Sequence, residues 1–445
     1  MSTLTTTDSD VINSPKARRR LFASTMIGNT VEYYDFTLYG TLAAVIATHF
    51  FPKGATTVAL LAAYAGVALS YFVRPLGGLI LGPLADLKGR RPVLVWTILL
   101  MTIGTAGIGV LPTYAAAGAA APVLLLALRV VQGFGASVEF TTAASFMVEH
   151  EDKRHRNYLL GAINSTASVG SFLAAGIAFL LTQTMSTTAF AGWGWRIPFL
   201  LAIPLSVVGV YIRNKLDETP EFKAVRRLTE QREVPQTPLR TAVRFYWPDM
   251  LRSIGVSAGQ RIGSFVIQAY FVTALIAAGF PTALALLASM ITYVVGPLPS
   301  IYGGRLADKY GARVPLLIGY GLFVVLTVPT FIGIGSGSIV VAVLAVVVFT
   351  IINNIISAPM IAAAVLSFPS EVRSSASALN FNVGTSLIGS TAGLVAVWLH
   401  SITHSDVTFG WYMTAFCLLS LLVTLFALPT GARRDVTTGL LAERN

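Results

Sequence analysis

The stretch "GPLADLKGRRPVL" runs from Gly82 to Leu94, and "GRLADKYGARVPL" runs from Gly304 to Leu316, 222 residues later. Gly82, Leu84, Ala85, Asp86, Gly89 and Arg91 of the first match Gly304, Leu306, Ala307, Asp308, Gly311 and Arg313 of the second. Each copy is a short charged stretch set between two long apolar runs. A repeat at this separation means that one architectural unit has been built twice. Of the 445 residues, 54% are hydrophobic and only 11% are charged, with a mean hydropathy of +0.71. Soluble chains carry about 25% charged residues, and a helix needs about 20 apolar residues to cross the hydrocarbon. The chain therefore reads as a polytopic helical membrane protein.

Working outward from the repeat, apolar segments fall at 21–49, 57–84, 92–112, 121–147, 158–183 and 195–213. A second set falls at 250–277, 281–304, 314–334, 338–364, 374–398 and 408–428. Each copy of the repeat lies between the second and third segment of its set. The expected fold class is an all-α membrane protein with 12 transmembrane helices in two pseudo-symmetric six-helix bundles. The divisions are a tail at 1–20, a bundle at 21–213, a polar linker at 214–249, a second bundle at 250–428 and a tail at 429–445.

The net charge of +11 is explained by placement. Of the 31 Lys and Arg residues, 26 lie in the termini and even-numbered loops. The odd loops hold only Lys53 and Arg196, and Arg74, Arg129 and Arg261 fall inside apolar segments. This bias puts both termini and the linker in the cytoplasm and argues against a nucleic-acid partner. The basic and apolar N-terminus reads as an uncleaved first helix, because acids interrupt its long apolar run. The single cysteine, Cys417, excludes an internal disulfide, and no histidine grouping predicts a metal site.

The two G-x-L-A-D-x-x-G-x-R segments resemble the loop motif of the major facilitator superfamily, and "LRVVQGFGA" from Leu128 resembles its fourth-helix motif. "GNTVEYYDFTLYG" from Gly28, "RPLGG" from Arg74, "GWGWRIPF" from Gly192, "LDETPEF" from Leu216 and "SFPSEVRSSA" from Ser367 resemble the metabolite:proton symporter family. The resemblance implies the major facilitator fold, a bacterial cytoplasmic membrane, a monomer, protons as the coupling ion and no cofactor. It also implies that segments 1, 4, 7 and 10 line the cavity. Departures occur at "ASVEF", where Glu139 lacks two family glycines, and at "GSTAG" from Gly389.

A charge inside the bilayer is expensive unless paired or wetted, so the exceptions mark candidate sites. Glu32 and Asp35 are expected to carry protons. Asp35 and Arg129 sit at nearly the same depth, by a rise of about 1.5 Å per residue, and are expected to pair. Glu32 has no obvious basic neighbour, as a proton carrier would require. Arg261, about 15 Å into its helix, suits a carboxylate through two parallel hydrogen bonds, with pairing to Glu32 as an equal alternative. Arg129, Tyr33, Tyr39, Gln132, Gln268, Asn353 and Asn382 complete the candidate substrate set, with packing the commoner role for tyrosines. Arg74, near the inner end of segment 2, is expected to gate together with Asp86, Gly89, Arg90, Arg91, Glu139, Glu149, Asp308 and Arg313.

The expected function is proton-coupled import of a small organic acid, a mono- or dicarboxylate, by alternating access. Uptake of a zwitterionic osmolyte is the alternative. A proton-antiport exporter or a non-transporting receptor fits less well, and no nucleotide loop, nucleophile elbow or metal set points to an enzyme.

Overall fold

The computed structural model describes residues 15–52, 56–88, 90–137, 156–214, 243–368 and 373–428. Among them every regular element is a helix. This follows from the solvent: a chain in hydrocarbon must satisfy its backbone hydrogen bonds internally, which leaves the helix as the spanning element for runs of this length.

Helix α1 is Pro15–Thr41 continued by Ala43–Phe50. It is followed by α2 (Thr56–Lys88), α3 (Arg90–Val110) and α4 (described over Ala120–Gly135). Then come α5 (Arg156–Thr184) and α6 (Thr187–Asn214). In the second set α7 is Trp247–Ala277, α8 Thr282–Tyr310, α9 Arg313–Ile334 and α10 Ile339–Leu366. Helix α11 is Arg373–Gly384, a π turn at Thr385–Gly389 and Ala392–Thr403, and α12 is Val407–Ala427. Ten of the described helices are long and apolar enough to cross a membrane. Described α4 is shorter, and α1 is made more polar by Glu32 and Asp35.

Two π turns bear on the centre. One, Val266–Tyr270, interrupts α7, and the other is that of α11. Such single-turn bulges are frequent at functional sites.

The two six-helix bundles meet at both ends. At the linker end α5 packs along α8. The Asp308 carboxylate accepts hydrogen bonds from Asn157 N (3.0 Å), Asn157 Nδ2 (2.8 Å) and Tyr158 N (2.9 Å). Asn164 Nδ2 reaches Ser300 Oγ at 3.2 Å and Ser357 Oγ at 3.1 Å. Deeper in, the Ser386 hydroxyl donates to the Tyr71 carbonyl at 2.6 Å, tying α11 to α2.

At the opposite end Gly40 of α1 lies against α7. A Cβ there would sit 2.5 Å from Ala269 Cβ, so glycine permits the approach. The Tyr64 hydroxyl of α2 lies 2.8 Å from both the Ala269 carbonyl and Thr273 Oγ1. With contacts at both ends, the structure encloses its centre.

Candidate functional site

The centre holds a small cavity of about 20 Å3, room for about one water, lined by Glu32, Asp35, Tyr71, Arg74, Arg129 and Gln132 among others. These side chains come from α1, α2 and α4. Glu32 and Asp35 are one turn apart on α1, which places both on one face.

Glu32 is paired. Arg74 Nη1 lies 2.6 Å from Glu32 Oε1, and both side chains are buried. This corrects two expectations, that Glu32 lacks a cationic neighbour and that Arg74 sits near the inner end of its helix. Helix α2 runs on to Lys88, so Arg74 lies roughly 20 Å from that end at 1.5 Å per residue. Its guanidinium also stacks on Tyr71, 3.9 Å from the ring centroid.

Asp35 is held differently. Thr105 Oγ1 and Gln132 Nε2 each donate to one of its carboxylate oxygens. Arg129 donates to Gln132 Oε1 and to the Gly66 carbonyl, and lies over the Tyr39 ring, 4.1 Å from its centroid. The expected Asp35–Arg129 pair is therefore relayed. Gln132, three residues along α4 from Arg129, shares its face and stands between the two charges.

Thr105 has one hydroxyl hydrogen and two acceptors in reach, Asp35 and the Met101 carbonyl at 3.0 Å. It can donate to an ionised Asp35. It can also turn to Met101 and accept from a protonated one.

Arg261 of α7 is buried and held rigidly. Its Nε donates to Ser257 Oγ at 2.9 Å, while Nη1 donates to the Phe381 carbonyl at 3.1 Å and to Thr385 Oγ1. Its Nη2 has no hydrogen-bond partner. Glu32 is not among its partners. A buried guanidinium with one idle nitrogen is an incomplete site, because an unmet buried donor is costly. Tyr33, half-buried on α1, lies in the field of both Arg74 and Arg261.

The remaining candidates disperse. Asn353 Nδ2 bonds Ser264 Oγ at 3.1 Å, joining α10 to α7. Asn382 Nδ2 reaches the Ser137 carbonyl at 3.4 Å, joining α11 to the end of α4. Gln268 is half-buried in the π turn of α7. Asp308 lies at the α5–α8 contact described above, whereas Arg313 donates to the Leu425 carbonyl at the end of α12, 2.5 Å away and within its own bundle. Asp86, Gly89, Arg90, Arg91, Glu139 and Glu149 lie outside the residues whose side chains are described.

Sequence reasoning missed Thr105, Ser257 and Thr385. Small hydroxyls in apolar helices usually bond their own preceding turn, so nothing in the sequence distinguished these three. It also missed Phe36, Tyr71 and Phe265, aromatics in apolar runs that read as packing.

The family model for the Major Facilitator Superfamily matches residues 25–393. The proline/betaine transporter of Escherichia coli K12 is 30% identical over 443 residues, covering 97% of this chain and 87% of that protein. A glycine betaine/proline/ectoine/pipecolic acid transporter of Dickeya dadantii is 30% identical over 437 residues, covering 95% and 86%. In fold, the chain is similar to the xylose transporter of E. coli in a partially occluded inward-open conformation. The TM-score is 0.75 at 16% identity, covering 93% of this chain and 98% of that one.

Proposed function

The chain belongs to the major facilitator superfamily, and on that premise we propose that it imports a small zwitterion, an ammonium carboxylate, in symport with protons. The names of its relatives, proline and betaine transporters, support a zwitterion over the simple organic acid expected from sequence. The observation that carries the reading is Arg261, whose fixed guanidinium keeps one nitrogen idle. A substrate carboxylate fills that vacancy. The two arginines that line the cavity are engaged with acids, Arg74 directly and Arg129 through Gln132, which favours Arg261, outside that lining, as the cation for substrate among the described residues.

Asp35 is the proton site of this reading. Its carboxylate is met by neutral donors, so protonation breaks no ion pair, and Thr105 can satisfy either state. Glu32 then serves with Arg74 as a charge pair that fixes α1 against α2. Transport alternates the two closures: α5–α8 opens to the linker side, and α1 and α2 part from α7 on the other, by rocking of the bundles. The placement of Lys and Arg sets the linker side as cytoplasmic.

Equilibrium binding to the purified protein tests the anchor. Arg261→Ala should weaken binding of proline and glycine betaine about 10- to 100-fold, the range for one charge-assisted hydrogen-bond site. Unchanged affinity would reject Arg261 as the carboxylate anchor.

A further inference from the structure

Three aromatic rings close on one another at the boundary between the bundles. Phe36 of α1 and Tyr71 of α2 lie 5.3 Å apart at 90°. Phe265 of α7 meets both, 4.9 Å from Phe36 at 72° and 4.9 Å from Tyr71 at 66°. All three are buried. Phe36 and Tyr71 also line the polar cavity. Phe265 stands four residues after Arg261 on α7, hence one turn along the same face. The trio thus adjoins the cavity that holds the acids of the first bundle and, through Phe265, the stretch of α7 that carries Arg261.

We propose that Phe36, Tyr71 and Phe265 form the ammonium subsite of the substrate, and that they select for a quaternary ammonium. The inference rests on the zwitterion reading above and goes further, since it names the group that takes the cation. Edge-to-face pairs direct the positive edge of one ring at the negative face of the next. A cation entering the trio replaces those edges on the faces of Phe36 and Phe265, one face of Tyr71 being held by the Arg74 guanidinium. A quaternary nitrogen has no N–H to donate, so carboxylates and carbonyls offer it no hydrogen bond, whereas ring faces attract it in any orientation. With its carboxylate on Arg261, a zwitterion such as a betaine places its nitrogen one turn along α7, beside Phe265.

Two consequences follow from the position. The acids are spared: the substrate cation does not occupy Asp35, which stays available for the proton. The rings also belong to different bundles, so a cation seated among them bridges α1 and α2 to α7 and favours closure. Gly389 makes room for the arrangement, because a Cβ there would lie 2.8 Å from the Phe265 ring. That glycine opens the α11 stretch, "GSTAG", that departs from the family pattern.

The test is binding of glycine betaine, L-proline and succinate to purified protein in nanodiscs, with Phe265 replaced by leucine and by a series of increasingly fluorinated phenylalanines. Fluorine drains the ring's negative face while preserving its shape. Betaine affinity should fall about 3- to 30-fold in Phe265→Leu and stepwise along the fluorinated series. Proline, which keeps N–H donors, should change less than about two-fold. Betaine binding that is flat along the fluorinated series, or equal losses for both zwitterions, overturns the subsite and leaves the zwitterion reading standing. Native protein that binds succinate but neither zwitterion overturns both.

Discussion

The two acids of α1 sit one turn apart and meet opposite treatment. Glu32 has a guanidinium at 2.6 Å, while Asp35 has a hydroxyl and an amide. Removing one partner of a buried ion pair is far more damaging than neutralising both, by about 3–5 kcal/mol in soluble proteins. Arg74→Gln should therefore lower the thermal midpoint of the detergent-solubilised protein by several degrees, and adding Glu32→Gln should restore most of it. A double-mutant cycle reads the coupling directly; additive effects would mean that the pair contributes nothing. The candidate acids themselves were legible, because charges in apolar segments stand out. Their partners were not. Depth along a helix placed Asp35 level with Arg129, but rotation about the helix axis decided that Gln132 would stand between them and that Arg74 would reach Glu32.

At the scale of elements, the second copy of the repeat supplies a contact between the bundles, which we propose acts as a latch. Asp308 is the acid of the second copy, and its carboxylate meets the backbone N–H groups of Asn157 and Tyr158 in the first described turn of α5. Anions stabilise helix N-termini, and removing such a cap costs about 1 kcal/mol. Since this cap joins the two bundles, the loss falls on the closed state alone. Asp308→Asn should raise the share of protein open at the linker end about five-fold. Ile301→Cys, half-buried on α8, reports the opening by maleimide labelling, against a native background of one buried thiol, Cys417. Equal labelling with Asp and Asn at 308 would show that the cap does not govern the gate. Helix number and order were readable from apolar length. The π turns at Val266–Tyr270 and Thr385–Gly389 were not, because one extra residue in a turn leaves no mark in a uniformly apolar run.

Across the whole molecule, the bundles divide the work. The first holds Asp35 with its neutral donors, the second holds Arg261 with its idle nitrogen, and an aromatic seam joins them. On the proposed function, coupling needs no long pathway: proton and substrate would act on the same closure from its two sides. The apolar composition made the membrane class readable at the outset. The substrate class was less readable, since one arginine suits an acid and a zwitterion alike, and the aromatic rings we propose as discriminating come from residues far apart in the chain.

The most direct test is electrical. Protein reconstituted in liposomes on a supported membrane is challenged with glycine betaine, proline or succinate at acidic pH, and the same preparations are assayed for substrate exchange without a gradient. An inward proton current with a zwitterion is expected. In Asp35→Asn the current should be lost while exchange persists. A current that survives Asp35→Asn, or one that only succinate evokes, would contradict the proposed function.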